Sequence, residues 1–344
     1  SRRRAVARMA LPPTSAAPPR GITPLTDCGA PSAVSPSDAG GPAPPPAVRE
    51  ALSAEGRRNA FAALAQKRTS GAAMACLEAA RVHAVLLKGW PLAERLTGST
   101  AGRHAKDIDL LVRPPDLAAA VEALAGIGYA PARVHRRILR AIGRPALLRE
   151  GDELILEGPE GAPEIELHWR ASRFRGWPDP PGLHSDALDH PVGGAGASVR
   201  VPSDRAHLIY LALHGEQHLW LRLKWLHDIH LMATSRGAET LGGDLAAARA
   251  AGAGRSLALA LRLSARLFGT PVPVGIGSGD RAERRAGAHV LGLLARGVVP
   301  STPRGRLEHY RFALARANGA GQRLAVLRHL TWRRVRVRLA ALAP

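Results

Sequence analysis

The sequence predicts an α+β protein, with an α/β head followed by a wholly helical region. Two observations carry this. Between residues 84 and 169, short apolar runs of strand length alternate with amphipathic stretches of helix length. From Ser203 onward, helical periodicity runs almost to the last residue, interrupted at GTPVPVGIGSG (269–279). The expected divisions are a disordered segment at 1–47, an α/β head at 48–202 and a helical domain at 203–344.

Residues 1–47 are rich in Pro, Ala, Gly and Ser and close on GGPAPPPA, a composition that cannot repay its ordering entropy by burial. Met9 is a candidate start, and the basic opening SRRRAVARMA lacks the long apolar run of a signal peptide. From 48 to 81 the pattern is helical, with Phe61, Leu64, Met74, Leu77 and Ala80 spaced for one apolar face. AVLLKG (84–89) reads as a buried strand ending in a glycine turn, and Pro91 suits the start of a helix over 91–97. GSTAGRHAK (98–106) is a polar loop, DIDLLV (107–112) a strand, and PPDLAAAVEALAGIGY (114–129) a helix stopped by Gly128. ELILEG (153–158) and EIELHW (164–169), joined through a Pro/Gly-rich turn, form a hairpin, and 171–202 reads mostly as loop. The pattern leaves 130–152 unassigned.

The chain has 344 residues and a net charge of +20. That excess fits a phosphate-rich ligand or, ranked behind it, nucleic acid; biased use of Ala, Arg, Gly and Pro is a third source. The arginines crowding the C-terminus, Arg333, Arg334, Arg336 and Arg338, read as a solvated face. Two cysteines, Cys28 and Cys76, offer neither a disulfide framework nor metal-ligand spacing, which points to a reducing, cytoplasmic setting. No run approaches the roughly 18 apolar residues of a membrane span, so no membrane partner is expected.

Asp107-Ile108-Asp109 opens an apolar strand, and residues two apart on a strand project from one face. Two carboxylates so placed repel and need a cation or buried partners. Magnesium or manganese suits them, as a hard ion shared with substrate phosphates. Glu166, flanked by Ile165 and Leu167, is the third carboxylate, preferred over Glu164, which follows Pro163 at the strand edge. Gly89, at a strand-to-helix turn, lets backbone N–H groups approach a phosphate, and Lys88 beside it offers a point charge; an ordinary turn with a surface lysine is the plainer alternative. Arg103 in the polar loop reaches toward a phosphate or simply faces solvent, and His168, two residues beyond Glu166, is a base, a supporting group or a core histidine.

Residues 203–232 predict one long helix capped by Ser203 and Asp204. Its stripe at 207, 211, 214, 218, 221, 225, 228 and 232 carries three histidines and an aspartate, which is no ordinary core face. His214, His218 and Asp228 therefore line the acceptor side of a cleft or are satisfied polar residues, and Lys224 with Asp228 is a candidate i,i+4 pair. Trp225 stacks on a base or packs in the core. HGEQH has the spacing of a helical zinc pair but has Gly215 where a zinc protease needs glutamate.

These residues resemble the DNA polymerase β-like nucleotidyltransferase superfamily: a glycine turn, then Asp-h-Asp (h, apolar), then h-Glu-h on a later strand, here Gly89, Asp107/Asp109 and Glu166. Within it, VLLKGWPLAERL, RHAKDIDLLVRPPDLAAAVEALAGIGY, IELHW and LALHGEQHLWLRLKWLHDIHLM, which together span about half the chain, resemble a bacterial family of uncharacterised nucleotidyltransferases. Some of its members are encoded beside peptide-modification genes, including lasso-peptide clusters. The resemblance implies a polymerase β-like head with a mixed sheet and a helical C-terminal domain. It implies metal-dependent transfer of NMP from an NTP, ATP foremost, to a hydroxyl acceptor (small molecule, peptide or protein), with loss of pyrophosphate. The chain departs from the superfamily in having Trp90 after Gly89, where a glycine or serine is usual, and a longer gap from Gly89 to Asp107. The altered glycine turn keeps open a nucleotide- or peptide-binding module without turnover, and the +20 charge an RNA-directed transferase.

Overall fold

A five-stranded mixed sheet organises the head in the computed structural model, which describes residues 45–193, 198–273, 276–277, 279–299 and 302–341. The expectation of disorder at 1–47 lies almost wholly outside the described residues. Helix α1 (Pro46–Ala79) is followed by β1 (Ala84–Leu86), α2 (Trp90–Thr97) and β2 (Ile108–Val112). A 3-10 turn (Pro114–Asp116) leads into α3 (Leu117–Ala125), then β3 (Ala130–Pro131), α4 (Arg133–Glu150) and the hairpin β4 (Glu153–Glu157) and β5 (Ile165–His168). The strand order is β1-β2-β5-β4-β3. β2 and β5 run parallel and the other pairs antiparallel, so the mixed sheet of an α+β fold is present.

Burial explains the strands. All five residues of β2 and all three of β1 are buried, as expected of strands covered on both faces. β4 and β5 alternate, with Leu154, Leu156, Ile165 and Leu167 in the core and Glu166 and His168 on the other face. Besides the short β3, two elements lay outside the sequence pattern. One is α4, bent where Gly143 takes φ 74° shortly before Pro145. The other is a separate ribbon of β6 (Leu188–Pro191) and β7 (Ser198–Val201) within the stretch read as loop.

The face expected of α1 is corrected in part. Met74 and Leu77 are buried, but Phe61 is 74% and Leu64 58% exposed, and Ala80 is exposed. Only the C-terminal half of α1 packs against the sheet core, through Ala73, Met74 and Leu77.

His135 on α4 is fully buried, and its Nδ1 accepts the Ile155 backbone N–H at 3.2 Å, which requires a neutral ring. Burial, reinforced by Arg336, lowers its pKa from 6.5 to about 4. Between those values the unfolded chain binds the extra proton and the folded chain does not. The neutral ring's contribution is therefore complete above the unfolded pKa, and about 3 kcal/mol of stability is lost as pH falls from about 6.5 to about 4. Urea unfolding at neutral and mildly acidic pH checks this: His135→Gln is expected to lose that share of the wild-type pH dependence.

The C-terminal helices are α5 (Asp204–Gln217), α6 (Leu223–Ala250), α7 (Gly254–Phe268), α8 (Arg281–Ala295), α9 (Pro303–Arg316) and α10 (Gly319–Ala341). The single helix expected over 203–232 is thus corrected: it breaks after Gln217 and resumes at Leu223. The break comes from Leu219 and Trp220, which adopt φ 56° and 53°. Such left-handed geometry costs about 1–3 kcal/mol per non-glycine residue. It is offset by burying both side chains, with Trp220 fully inaccessible. The one-faced stripe is corrected with it, since α5 is buried on every side from Ala206 to Leu213.

Gly215 makes this corner fit. A Cβ there would lie 2.0 Å from Cζ3 of Trp220. Alanine would gain about 1 kcal/mol of helix propensity, but the Trp220 ring has nowhere to move. Gly215→Ala is therefore expected to destabilise by a net amount of about 2 kcal/mol, read as a lower urea midpoint with an unchanged slope.

Candidate active site

The register of the parallel strands assembles the site. Asp109 on β2 pairs directly with Glu166 on β5, and His168 sits opposite Leu111 one step further along. Asp107 lies just ahead of β2, and its carbonyl accepts from the Gln66 side chain at 3.3 Å. Ligand atoms of Asp109, Glu166 and His168 all lie within 4.8 Å of one another, whereas Asp107 borders the same cavity outside that group. Glu164, the disfavoured carboxylate, is exposed.

The charges in this cluster are set by pairing. Lys88 Nζ is 2.9 Å from Asp109 Oδ1, with Asp109 2% exposed. Burial opposes ionisation of both, but their mutual attraction outweighs it, raising Lys88 and lowering Asp109. His168 Nε2 lies 3.3 Å from Asp109 Oδ1 and 3.6 Å from Glu166 Oε2. Burial works against its charged form, yet hydrogen bonds to these two carboxylates lift it to about 10. It is therefore an imidazolium at neutral pH. The carboxyl of Asp107 is raised, first by burial and then by repulsion from Asp109 and Glu166.

Gly89 takes φ 86° and ψ −144° as the residue before α2, a conformation open to glycine alone, and it lines the cavity. Trp90 next to it points away from the cavity. It is buried, its Nε1 donates to Ser70 Oγ at 2.8 Å, and the Lys67 ammonium sits 4.4 Å above its ring. The bulk that departs from the glycine or serine of the superfamily is thus spent on packing α2 against α1.

Arg103 and Asp228 meet each other. The guanidinium Nε lies 2.9 and 3.0 Å from the two Asp228 oxygens, and both side chains are buried. The expected Lys224–Asp228 pair is not formed: Lys224 donates to the His104 carbonyl at 3.1 Å. Burial, and then Arg103, lower Lys224 to about 8. The His214 and His218 rings lie 4.6 Å apart between centroids, tilted by 51°, and both pack against the buried Trp225. Burial, then Lys88 for the first and Arg173 for the second, hold both rings neutral. His214 Nε2 is 3.5 Å from Lys88 Nζ, and Arg173 Nη2 is 2.8 Å from His218 Nε2.

All ten sequence-derived candidates except Asp228 line one cavity of about 310 Å³. Residues without a motif join them, notably Tyr210, Arg173 and Glu153. Glu153 was within reach of sequence reasoning, because the hairpin register sets it opposite His168. Tyr210 and Arg173 arrive by tertiary packing alone.

Residues 33–269, over two thirds of the chain, match the family described as "Uncharacterised nucleotidyltransferase", and the chain belongs to that family. Two solved structures are similar over 54% of the chain at 18% identity. One is a crystal structure of ANT(2″)-Ia in complex with adenylyl-2″-tobramycin, covered to 97% with a TM-score of 0.38. The other is a solution structure of the antibiotic-resistance factor ANT(2″)-Ia, covered to 91% with a TM-score of 0.37. No curated protein matches the sequence. Among the described residues, no helix is long and apolar enough to cross a membrane.

Proposed function

We propose that the protein transfers NMP from an NTP, ATP foremost, to a hydroxyl acceptor in a magnesium- or manganese-dependent reaction. The observation that carries this is the register Asp109–Glu166 on parallel strands, with Asp107 two residues before Asp109. Asp109 and Glu166 offer carboxylate oxygens that lie, with the His168 ring nitrogen, within 4.8 Å of one another, a spacing that fits a divalent cation, and Asp107 adds a third carboxylate at the rim of the same cavity. Asp107, Asp109 and Glu166 would hold the ion. Such an ion, when bound, supplies positive charge to the phosphates as negative charge builds in the transition state.

The acceptor oxygen forms a bond to the α-phosphorus, and the bond from that phosphorus to the bridging oxygen breaks, releasing pyrophosphate. Glu166 takes the hydroxyl proton. Lys88, the backbone at Gly89 and Arg103 bind the phosphates, with the N-terminus of α2 adding a favourable dipole. His168 Nε2, 3.3 Å from Asp109 Oδ1, orients that carboxylate. The head, 48–202, holds the nucleotide, while His214 and His218 present the acceptor from the helical region, 203–344. Asp228 acts from behind, by fixing Arg103.

The test is pyrophosphate release and label transfer from each of the four radiolabelled NTPs, with magnesium or manganese and a lysate as acceptor source. Label transfer that the Asp107→Asn/Asp109→Asn protein lacks is the expected result. Transfer that survives the double substitution sinks the mechanism. The Lys88–Asp109 pair supports one other reading, in which the ammonium stands in for a metal and the fold binds nucleotide without turnover. Metal-dependent nucleotide binding with no pyrophosphate release would favour it.

A further inference from the structure

A second cavity, of about 350 Å³, adjoins the first and shares Asp152, Glu153, Arg173 and His218 with it. Its far wall comes from α9 and α10, through His309, Tyr310, His329, Trp332, Arg333 and Arg336. The C-terminal arginine run is therefore more than a solvated face, since Arg333 and Arg336 are half-buried against this cavity. Resting on the nucleotidyl-transfer reading above, we infer that this cavity holds the acceptor, and that the acceptor carries an anionic group, a phosphate or carboxylate, at a distance from its reacting hydroxyl.

Sheet order decides which cavity takes which substrate. Gly89 and Lys88 follow β1 at one edge, and Asp152 and Glu153 open β4 on the far side of β5. Glu166 lies between them. A triphosphate at the Gly89 turn thus leaves the Glu166 side open to the attacking hydroxyl, and the second cavity enters there.

Donor chemistry decides the class of acceptor. Four arginines, Arg173, Arg306, Arg333 and Arg336, line the second cavity with two carboxylates, Asp152 and Glu153, and the carboxylates sit at the neck between the cavities. Beyond the neck the ionised groups are guanidinium groups, because burial and Arg173 hold His309 uncharged, at about 3. Guanidinium N–H groups only donate. A ligand that accepts from them and balances their charge is an anion. A polyamine or other polycation meets the opposite conditions.

Calorimetry on the full chain tests this, with magnesium and α,β-methylene-ATP present to fill the nucleotide site. Glycerol 2-phosphate, glycerol and spermidine are the probes. Wild type is expected to bind glycerol 2-phosphate and neither of the others. Arg333→Glu/Arg336→Glu is expected to weaken that binding about tenfold or more while leaving the ATP analogue's affinity unchanged. The milder Arg333→Gln/Arg336→Gln pair, checked for an unaltered far-UV spectrum, guards against misfolding. Absence of glycerol 2-phosphate binding to wild type, preference for spermidine, or equal affinity in both variants overturns the inference. Arginine-dependent binding of glycerol 2-phosphate without binding of the ATP analogue would instead sink the nucleotidyl-transfer reading and leave the anion cavity standing.

Discussion

Asp107→Asn and Asp109→Asn are expected to abolish transfer alike, yet only Asp109→Asn is expected to destabilise the metal-free protein. Each removes a carboxylate proposed to hold the ion, and a loss of about 10³-fold or more follows from removing charge that stabilises the transition state. Their folded-state environments differ in sign. Asp107 is half-buried with its carboxyl raised by burial, Asp109 and Glu166, so its charge is held at a cost. Asparagine relieves that cost, and stability stays level or rises by about 1 kcal/mol. Asp109 is the shared counter-charge of Lys88 at 2.9 Å and His168 at 3.3 Å. Asparagine there leaves two buried cations with one less partner, at a cost of about 3–5 kcal/mol. Urea unfolding in the presence of a chelator, run beside the transfer assay, separates the two. Equal destabilisation by both would show that Lys88 and His168 do not depend on Asp109.

The same contrast explains what was legible in the sequence. The carboxylate pattern survives as a pattern because strand geometry is local: a period of two puts Asp107 and Asp109 on one face, and apolar neighbours mark β5 and Glu166. The choice of Glu166 over Glu164 needed only Pro163 and the burial of Ile165 and Leu167. Gly89 was legible because a positive φ at a strand-to-helix turn selects glycine.

What escaped is non-local. Nothing in LKG says that Lys88 turns back onto Asp109, and nothing in RHAK says that Arg103 reaches across to Asp228. The break at 218–222 was hidden for a different reason. Leu219 and Trp220 are poor residues for left-handed backbone, and only the burial of Trp220 against Gly215 makes that geometry worth its strain. Phe61 and Leu64 have the spacing of a core face yet are exposed, while Met74 and Leu77 on the same helix join the sheet core. Periodicity reports which residues share a face, and tertiary contact alone decides whether that face is covered.

Asp228→Ala is expected to destabilise by about 3–5 kcal/mol, as it strands the buried Arg103 guanidinium. Arg103→Ala should cost a similar amount by stranding Asp228. The pair ties the 98–107 loop, which ends at Asp107, to α6, so these losses will be far from additive. Replacing both residues by apolar ones of similar size, Arg103→Met/Asp228→Leu, is expected to recover most of the stability, because the desolvation of both ions goes with the attraction between them. Transfer should not recover. Arg103 engages Asp228 through Nε and is among the residues that line the cavity, so methionine restores packing but no phosphate contact. The measurement is a double-mutant cycle read twice, once by urea unfolding and once by transfer. Stability restored without transfer assigns Arg103 to the phosphates. Both restored together would make the pair a purely structural tie and leave Lys88 and the Gly89 turn as the phosphate grip.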